Sequence, residues 1–109
     1  MVQLPLVPSV ARYQIGTALD GVQYLFSIRW NGREGVWHMD ILTEDAAVIL
    51  SGVAIVLGMA IAWRSVDARR PPGVFTVRDL SRQGLDAGFD DLGERVVVQY
   101  WSPSELPAL

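Results

Sequence analysis

Cysteine and lysine are absent from the 109-residue chain, and histidine occurs once, as His38. Without cysteine there are no disulfide bonds, zinc–thiolate sites or thiol nucleophiles. His38 has no second imidazole to form a metal pair, and the alternation around it places it on the polar face of a strand. The sequence also lacks Walker-type, G-x-G-x-x-G and G-x-S-x-G motifs. We therefore predict a protein that is not an enzyme and that uses no metal or cofactor.

The charge balance is acidic, since nine arginines face twelve carboxylates for a net charge of -3. A protein that neutralises nucleic-acid phosphates normally has the opposite balance, so nucleic-acid binding is disfavoured. A chain of this length with 50% hydrophobic residues is expected to fold as one domain. Because the guanidinium fork pairs well with carboxylates, the exclusive use of arginine favours packed protein interfaces.

An uncharged run covers residues 46–63 and has the length of a membrane span. Arg64 follows it, and Trp63 occupies the position of an interfacial aromatic residue. The same run is rich in β-branched residues, and Gly52 and Gly58 divide it into short apolar pieces that are typical of strands buried on both faces. Periodicity does not decide between a helix or span and two strands. A small single-span membrane protein with a β-rich extramembrane part is therefore the alternative interpretation.

Three amphipathic strands are predicted before this run. Residues 13–19 and 22–30 alternate apolar and polar side chains, and the pair Asp20-Gly21 between them favours a type I′ turn. A polar loop at 31–35 leads to a third alternating segment at 37–42. These segments predict an antiparallel meander.

Two further strands are predicted after a loop that contains Pro71 and Pro72, at residues 74–77 and 95–101. The complete pattern predicts a mainly β fold. We expect a single small antiparallel sheet or barrel-like domain of about six to seven strands, with an N-terminal arm at residues 1–10 and a C-terminal tail at 102–109.

Contacts with partners are expected at these arms, at the basic loop before the prolines, and at tryptophans near the ends of elements. The candidate partner-interface residues are Pro5, Pro8, Trp63, Arg69, Arg70 and Trp101.

A cluster of carboxylates contains Asp86, Asp90, Asp91 and Glu94. Oxygen ligands of this type bind calcium, but the spacing does not match an EF-hand loop. The interpretation we favour is a turn in which aspartates accept hydrogen bonds from backbone amides, and in which Asp90 or Asp91 pairs with Arg95.

Several segments carry a resemblance when they are taken in order. They are Trp30-Asn31-x-Arg33, Trp37 with Asp40-Ile41, the glycines at 52 and 58, Pro71-Pro72-Gly73, and Phe89-Asp90-Asp91-Leu92-Gly93-x-Arg95-Val96. In this order the chain resembles the baseplate plug family of contractile-tailed phages, small virion proteins of a cyanophage-type baseplate. The resemblance extends roughly from Leu4 to Tyr100, and its most specific parts are the first and the last segments.

The resemblance implies a mostly β structural protein of the phage tail, in the central part of the baseplate. Its implied partners are the baseplate hub protein, the tail tube or tube initiator, and spike or wedge proteins, with several copies in a three-fold or six-fold arrangement. It implies no catalytic chemistry, and it places the protein in the virion after assembly in the host cytoplasm. In this family the stretch matching 46–63 is usually a pair of apolar strands with a polar interruption, which this chain lacks.

Overall fold

The computed structural model describes residues 1–57, 60–61 and 71–105. Within these ranges the chain forms eight strands and one 3-10 turn at Pro103–Glu105, and it contains no α-helix. The strands are β1 (Val2–Gln3), β2 (Arg12–Leu19), β3 (Val22–Asn31), β4 (Val36–Thr43), β5 (Val48–Ile55), β6 (Ala60–Ile61), β7 (Val74–Asp79) and β8 (Val96–Trp101). The prediction of a mainly β fold is confirmed.

The strands form two four-stranded sheets, and all strand pairs within them are antiparallel. The meander sheet has the order β2-β3-β4-β5, and the terminal sheet has the order β1-β8-β7-β6. The predicted antiparallel strands are thus present, distributed over two sheets that do not close into a barrel.

The predicted alternation is visible in the meander sheet. On β4, Trp37, Met39 and Ile41 are fully buried, whereas the residues between them are partly exposed. Asp20 and Gly21 both have positive φ values, 51° and 79°, as a type I′ turn requires. The turn fixes the register, and β2 pairs with β3 without interruption at all eight of its positions.

The apolar run forms strands in its described part, with β5 pairing with β4 and the backbone of β6 pairing with β7. Gly52 does not end β5. It has a φ of 72° and lies where the register between β4 and β5 shifts by one residue, which is a β-bulge. In the described ranges the chain has no helix that could span a membrane.

Aromatic side chains join the two sheets at their centre. Phe26 of the meander sheet meets Phe75 of the terminal sheet edge to face, with ring centroids 5.8 Å apart. Tyr100 packs against Phe75 at 5.0 Å. Its hydroxyl donates a hydrogen bond to Asp20 at 2.6 Å, so the first hairpin turn is attached to the terminal sheet.

The first residues of the chain belong to this same fold. Val2 and Gln3 pair with β8, and the Leu4 amide donates a hydrogen bond to the Val98 carbonyl at 2.9 Å. Leu4 and Leu6 are buried in the core. The predicted N-terminal arm therefore begins as a short strand that covers the edge of its own terminal sheet.

Candidate interaction surface

The two most specific motif segments of the sequence meet in an aromatic cluster, which we define as Trp30, Trp37 and Phe89. Trp30 and Trp37 are direct cross-strand partners with ring centroids 5.2 Å apart. Phe89 meets Trp30 edge to face at 5.9 Å and stacks on Trp37 at 6.0 Å with an interplanar angle of 10°. The segment before β8 is thereby packed against the β3–β4 hairpin.

This cluster extends from the core to the surface. Trp37 is fully buried, and its Nε1 donates a hydrogen bond to the Gly88 carbonyl at 2.9 Å. Phe89 is 37% exposed, and Trp30 is partly exposed. The buried indole fixes the position of the loop, while the other two rings contribute apolar surface beside it.

Asn31 shapes the loop between β3 and β4. Its side-chain oxygen accepts hydrogen bonds from the Arg33 and Glu34 amides at 3.1 and 3.3 Å. Its carbonyl accepts a further bond from Gly35, whose φ of 67° is a conformation that glycine adopts readily. This Asn-centred turn leaves the Arg33 side chain exposed at the loop tip.

Arg95, in the motif segment that begins at Phe89, is the centre of an ion-pair network. Its guanidinium lies 2.9 Å from Asp79 and 3.2 Å from Asp91, and it also donates to the Leu85 and Asp86 carbonyls. The prediction was that Asp90 or Asp91 pairs with Arg95, and in the structure Asp91 does so. The second carboxylate, Asp79, lies at the end of β7 and was not among the predicted residues.

Asp79 receives hydrogen bonds from its own loop. Its carboxylate accepts from the Ser81 hydroxyl at 2.6 Å, the Ser81 amide at 2.9 Å and the Gly84 amide at 3.0 Å. These donors, the Ser81 hydroxyl foremost, together with the charge of Arg95, lower the pKa of Asp79 to about 2. The pKa of Asp91 is also lowered, chiefly by its hydrogen bond from Arg95.

The other aspartates of the acidic cluster have separate structural contacts. Asp86 accepts a hydrogen bond from the Leu57 amide at 2.8 Å, and Asp90 accepts one from the Ser9 hydroxyl at 2.6 Å. In the described part of the chain no three histidine or acidic side chains are grouped as metal ligands would be. The favoured interpretation of this cluster, a turn held by backbone amides, agrees with these contacts.

A glycine is required at position 93, in the same motif segment, because the N-terminal segment packs closely against it. Its φ is 94°, and a Cβ at this position would lie 2.5 Å from the carbonyl oxygen of Leu6. Any side chain here would displace the buried residues that follow β1. The motif glycine therefore serves the fold rather than a ligand.

The candidate partner-interface residues fall into two groups. Trp63, Arg69 and Arg70 lie outside the described residues. Pro5 is exposed, Pro8 is partly buried, and Trp101 is partly buried with its Nε1 donating to the Thr76 hydroxyl at 2.9 Å. Their contacts with partners remain predictions.

An open depression of about 650 Å³ lies beside the aromatic cluster, at the end of the meander sheet. We call it the cationic depression. Its lining residues are Arg29, Trp30, Asn31, Gly32, Arg33 and His38. Arg29 is the direct cross-strand partner of both Arg12 and His38, so a row of basic side chains crosses three strands. Sequence reasoning missed this surface because it depends on the register between the strands.

The outer edge of β2 is the second surface feature. In the described residues β2 pairs with β3 alone, over all eight of its positions. The opposite side of the strand thus presents a long row of backbone groups without a strand partner.

The fold defines a small β protein of two antiparallel sheets whose surface carries a strand edge and a cationic depression. A family model described as cyanophage baseplate Pam3 plug gp18 matches residues 1–104, which is nearly the whole chain. The chain therefore belongs to this phage baseplate plug family, as its motifs indicated. Searching the curated proteins gives no significant match.

Membership of the family establishes the general role. The protein is a structural component of a phage baseplate, it belongs to the virion tail, and it contacts other baseplate proteins. This role is consistent with the prediction that the protein is not an enzyme.

Proposed function

We propose that the protein packs in the central hub region of a contractile tail baseplate, where it bridges the hub protein and the proteins that initiate the tube and sheath. Spike or wedge proteins are its further neighbours. Several copies, assembled in the host cytoplasm, surround a three-fold or six-fold axis. The observation that carries this proposal is the free outer edge of β2, because it provides a means of joining a neighbour directly to the fold.

Proteins that remain monomeric usually protect such edges with proline, charged residues or bulges. β2 has no bulge and no proline, and Arg12 at its start is its only charged residue. The other edges differ. β5 carries a bulge at Gly52, and the N-terminal segment covers β8. Of the long strands that the structure describes, β2 has the edge best suited to receive another strand.

The hairpin register shows which amides face outward. Leu19 and Val22 flank the two-residue turn, and in such hairpins the flanking residues exchange hydrogen bonds, as does every second residue further along. At the far end the Trp30 amide donates to the Ala11 carbonyl at 2.8 Å, which fits this alternation. The outward amides are those of Arg12, Gln14, Gly16 and Ala18.

The mechanism that follows is mechanical. A strand from a neighbouring subunit adds to β2 through main-chain hydrogen bonds, and the alternate side chains of both strands determine which neighbour fits. Because the aromatic contacts of the core join the meander sheet to the terminal sheet, a load on β2 is transmitted through the domain. Contacts of this kind would hold the hub in place until the tail contracts.

A proline at an outward amide tests this mechanism. Gln14→Pro removes a donor to the neighbour while the β2–β3 hydrogen bonds remain, and Gln14→Ala is the matched control that keeps the donor. We expect phages complemented with the proline variant to produce tails with little of this protein, whereas the alanine variant is incorporated normally. Urea unfolding of both purified variants verifies that they fold. A folded Gln14→Pro protein incorporated at the normal level would contradict the proposal, and Ala18→Lys, which places a charge on the same edge, provides a second test.

A further inference from the structure

The walls of the cationic depression offer hydrogen-bond donors that lack acceptors within the described residues. Arg33 makes no side-chain hydrogen bond or ion pair there. The Trp30 indole nitrogen likewise has no acceptor, in contrast to those of Trp37 and Trp101, which donate to Gly88 and Thr76. A ligand that supplies acceptors would satisfy both groups without breaking an existing bond.

The charges of this region point to an anionic ligand. None of the described residues that line the depression carries a carboxylate. Asp40 on β4 pairs with Arg29 at 2.5 Å, so among the described lining residues Arg33 is the guanidinium without an ion-pair partner. Glu34 is exposed in the same loop but is not part of the lining.

The opposition of Arg12 and Arg29 on neighbouring strands is a second observation. Like charges directly opposite each other across a strand pair are destabilising. Arg12 has no carboxylate partner within the described residues, so Asp40 offsets only part of this repulsion. An acidic partner that contacts Arg12 and Arg29 would remove the remaining repulsion between them.

We propose that the cationic depression binds an acidic segment of a neighbouring baseplate protein. A carboxylate of that segment forms a bidentate pair with the Arg33 guanidinium, and a second acceptor accepts a hydrogen bond from the Trp30 indole N–H. Phe89, which contacts Trp30 and is 37% exposed, offers apolar contact to the same segment. This inference rests on the proposed function for the nature of the partner.

A protein segment fits the charge pattern better than a nucleic acid. Arg12, Arg29 and Arg33 form a small positive area in a neighbourhood that also contains Asp40 and Glu34, and the chain as a whole carries a net charge of -3. A nucleic-acid phosphate backbone requires a broader basic surface and would be repelled by the rest of the protein. A short acidic segment would contact only the depression and not the acidic remainder of the surface.

The indole N–H signals of the tryptophans provide a direct measurement. We would record proton–nitrogen correlation spectra of the nitrogen-15-labelled protein, identify the Trp30 peak with a Trp30→Phe variant, and add a decapeptide of alternating Glu and Ala at millimolar concentration. We expect the Trp30 peak to shift while the Trp37 and Trp101 peaks stay in place. The same peptide with Gln in place of Glu should leave all of them unchanged.

Reversing the charge of Arg33 at the loop tip tests its role in binding, and Arg78 provides the matched control. Arg33→Glu should weaken binding of the acidic peptide by on the order of tenfold or more, since it exchanges an attractive pair for a repulsive one. Arg78→Glu makes the same charge change at an exposed position on the terminal sheet and should leave the affinity unchanged. The proposal is overturned if the Trp30 peak does not shift, or if the Gln peptide shifts it equally. It is also overturned if Arg33→Glu binds the acidic peptide as tightly as the parent protein does, or if a thymidine decanucleotide shifts the Trp30 peak with a higher affinity than the acidic peptide. Since this assay uses the isolated protein, a failure here leaves the β2-edge proposal standing if the Gln14→Pro variant is excluded from tails.

Discussion

Phe89 stacks on the buried indole of Trp37, with their rings inclined by only 10°. The two residues are far apart in the sequence, since Trp37 lies on β4 and Phe89 in the loop before β8. The Gly88 carbonyl, next to Phe89, accepts the hydrogen bond of the same indole. This double attachment fixes the loop before β8 against the meander sheet, while Phe89 stays 37% exposed in contact with Trp30.

Removing the Phe89 ring should therefore destabilise the protein despite its partial exposure. We expect Phe89→Ala to lower the free energy of unfolding by about 1–2 kcal/mol, because it loses two aromatic contacts and part of its apolar burial. Leu85→Ala, at a residue that is 59% exposed in the same loop, is the control and should cost less than about 0.5 kcal/mol. Urea denaturation of the two variants measures the difference. Equal effects would mean that the stacking contributes no stability.

Gly93 and Gly84 form a second matched pair of sites. Both have positive φ values, 94° and 72°, so alanine strains the backbone at either position. Only at Gly93 does the added Cβ meet a neighbour, the Leu6 carbonyl. We predict that Gly93→Ala unfolds at a lower urea concentration than Gly84→Ala, with an additional cost of about 1–3 kcal/mol. Similar unfolding midpoints for the two variants would show that the N-terminal segment does not pack against Gly93.

Acid should weaken the ion-pair network around Arg95. The pKa of Asp79 is about 2 in the folded protein, whereas an aspartate in an unfolded chain has a pKa of about 3.9. A depressed carboxyl pKa gives stability that is present above the unfolded value and is lost as the pH falls through the folded value. The lowered pKa of Asp91 acts in the same direction. We predict that the contribution of Asp79 declines between about pH 4 and pH 2.

The Asp79→Asn variant isolates this contribution. Its melting temperature should be below that of the parent protein at pH 7, and the gap should narrow as the pH falls toward 2, because the parent then loses its own charge at this site. Thermal melts followed by circular dichroism across this range measure the gap. Ser104→Ala, at an exposed position away from the network, is a suitable control. A gap that stays constant with pH would contradict the assigned role of Asp79.

Much of the meander sheet could be predicted from local pattern. The alternation around Trp37, Met39 and Ile41 follows directly from burial of one face of a strand, and Asp20-Gly21 has the conformational freedom that a type I′ turn needs. A pairing of Arg95 with Asp90 or Asp91 was also predictable, since both aspartates lie within five positions of it; the structure selects Asp91. These features depend on neighbours in sequence.

Features that depend on distant partners were not predictable in the same way. The apolar run has no period, and the choice of a strand at Val48–Ile55 depends on its pairing with β4. Likewise, Asp79 reaches Arg95 only because β7 and β8 are adjacent. The alternation of Leu4 and Leu6 around Pro5 was a signal for a segment buried on one side. The row of basic side chains at Arg12, Arg29 and His38 depends on the register that aligns the three strands.

The most direct test of the proposed function is a cryo-electron microscopy map of the assembled tail baseplate at a resolution that shows individual strands. The account predicts a strand of a neighbouring subunit alongside β2, at the spacing of about 4.8 Å that separates hydrogen-bonded strands. It would be contradicted by a map in which the β2 edge faces solvent in every copy of the protein.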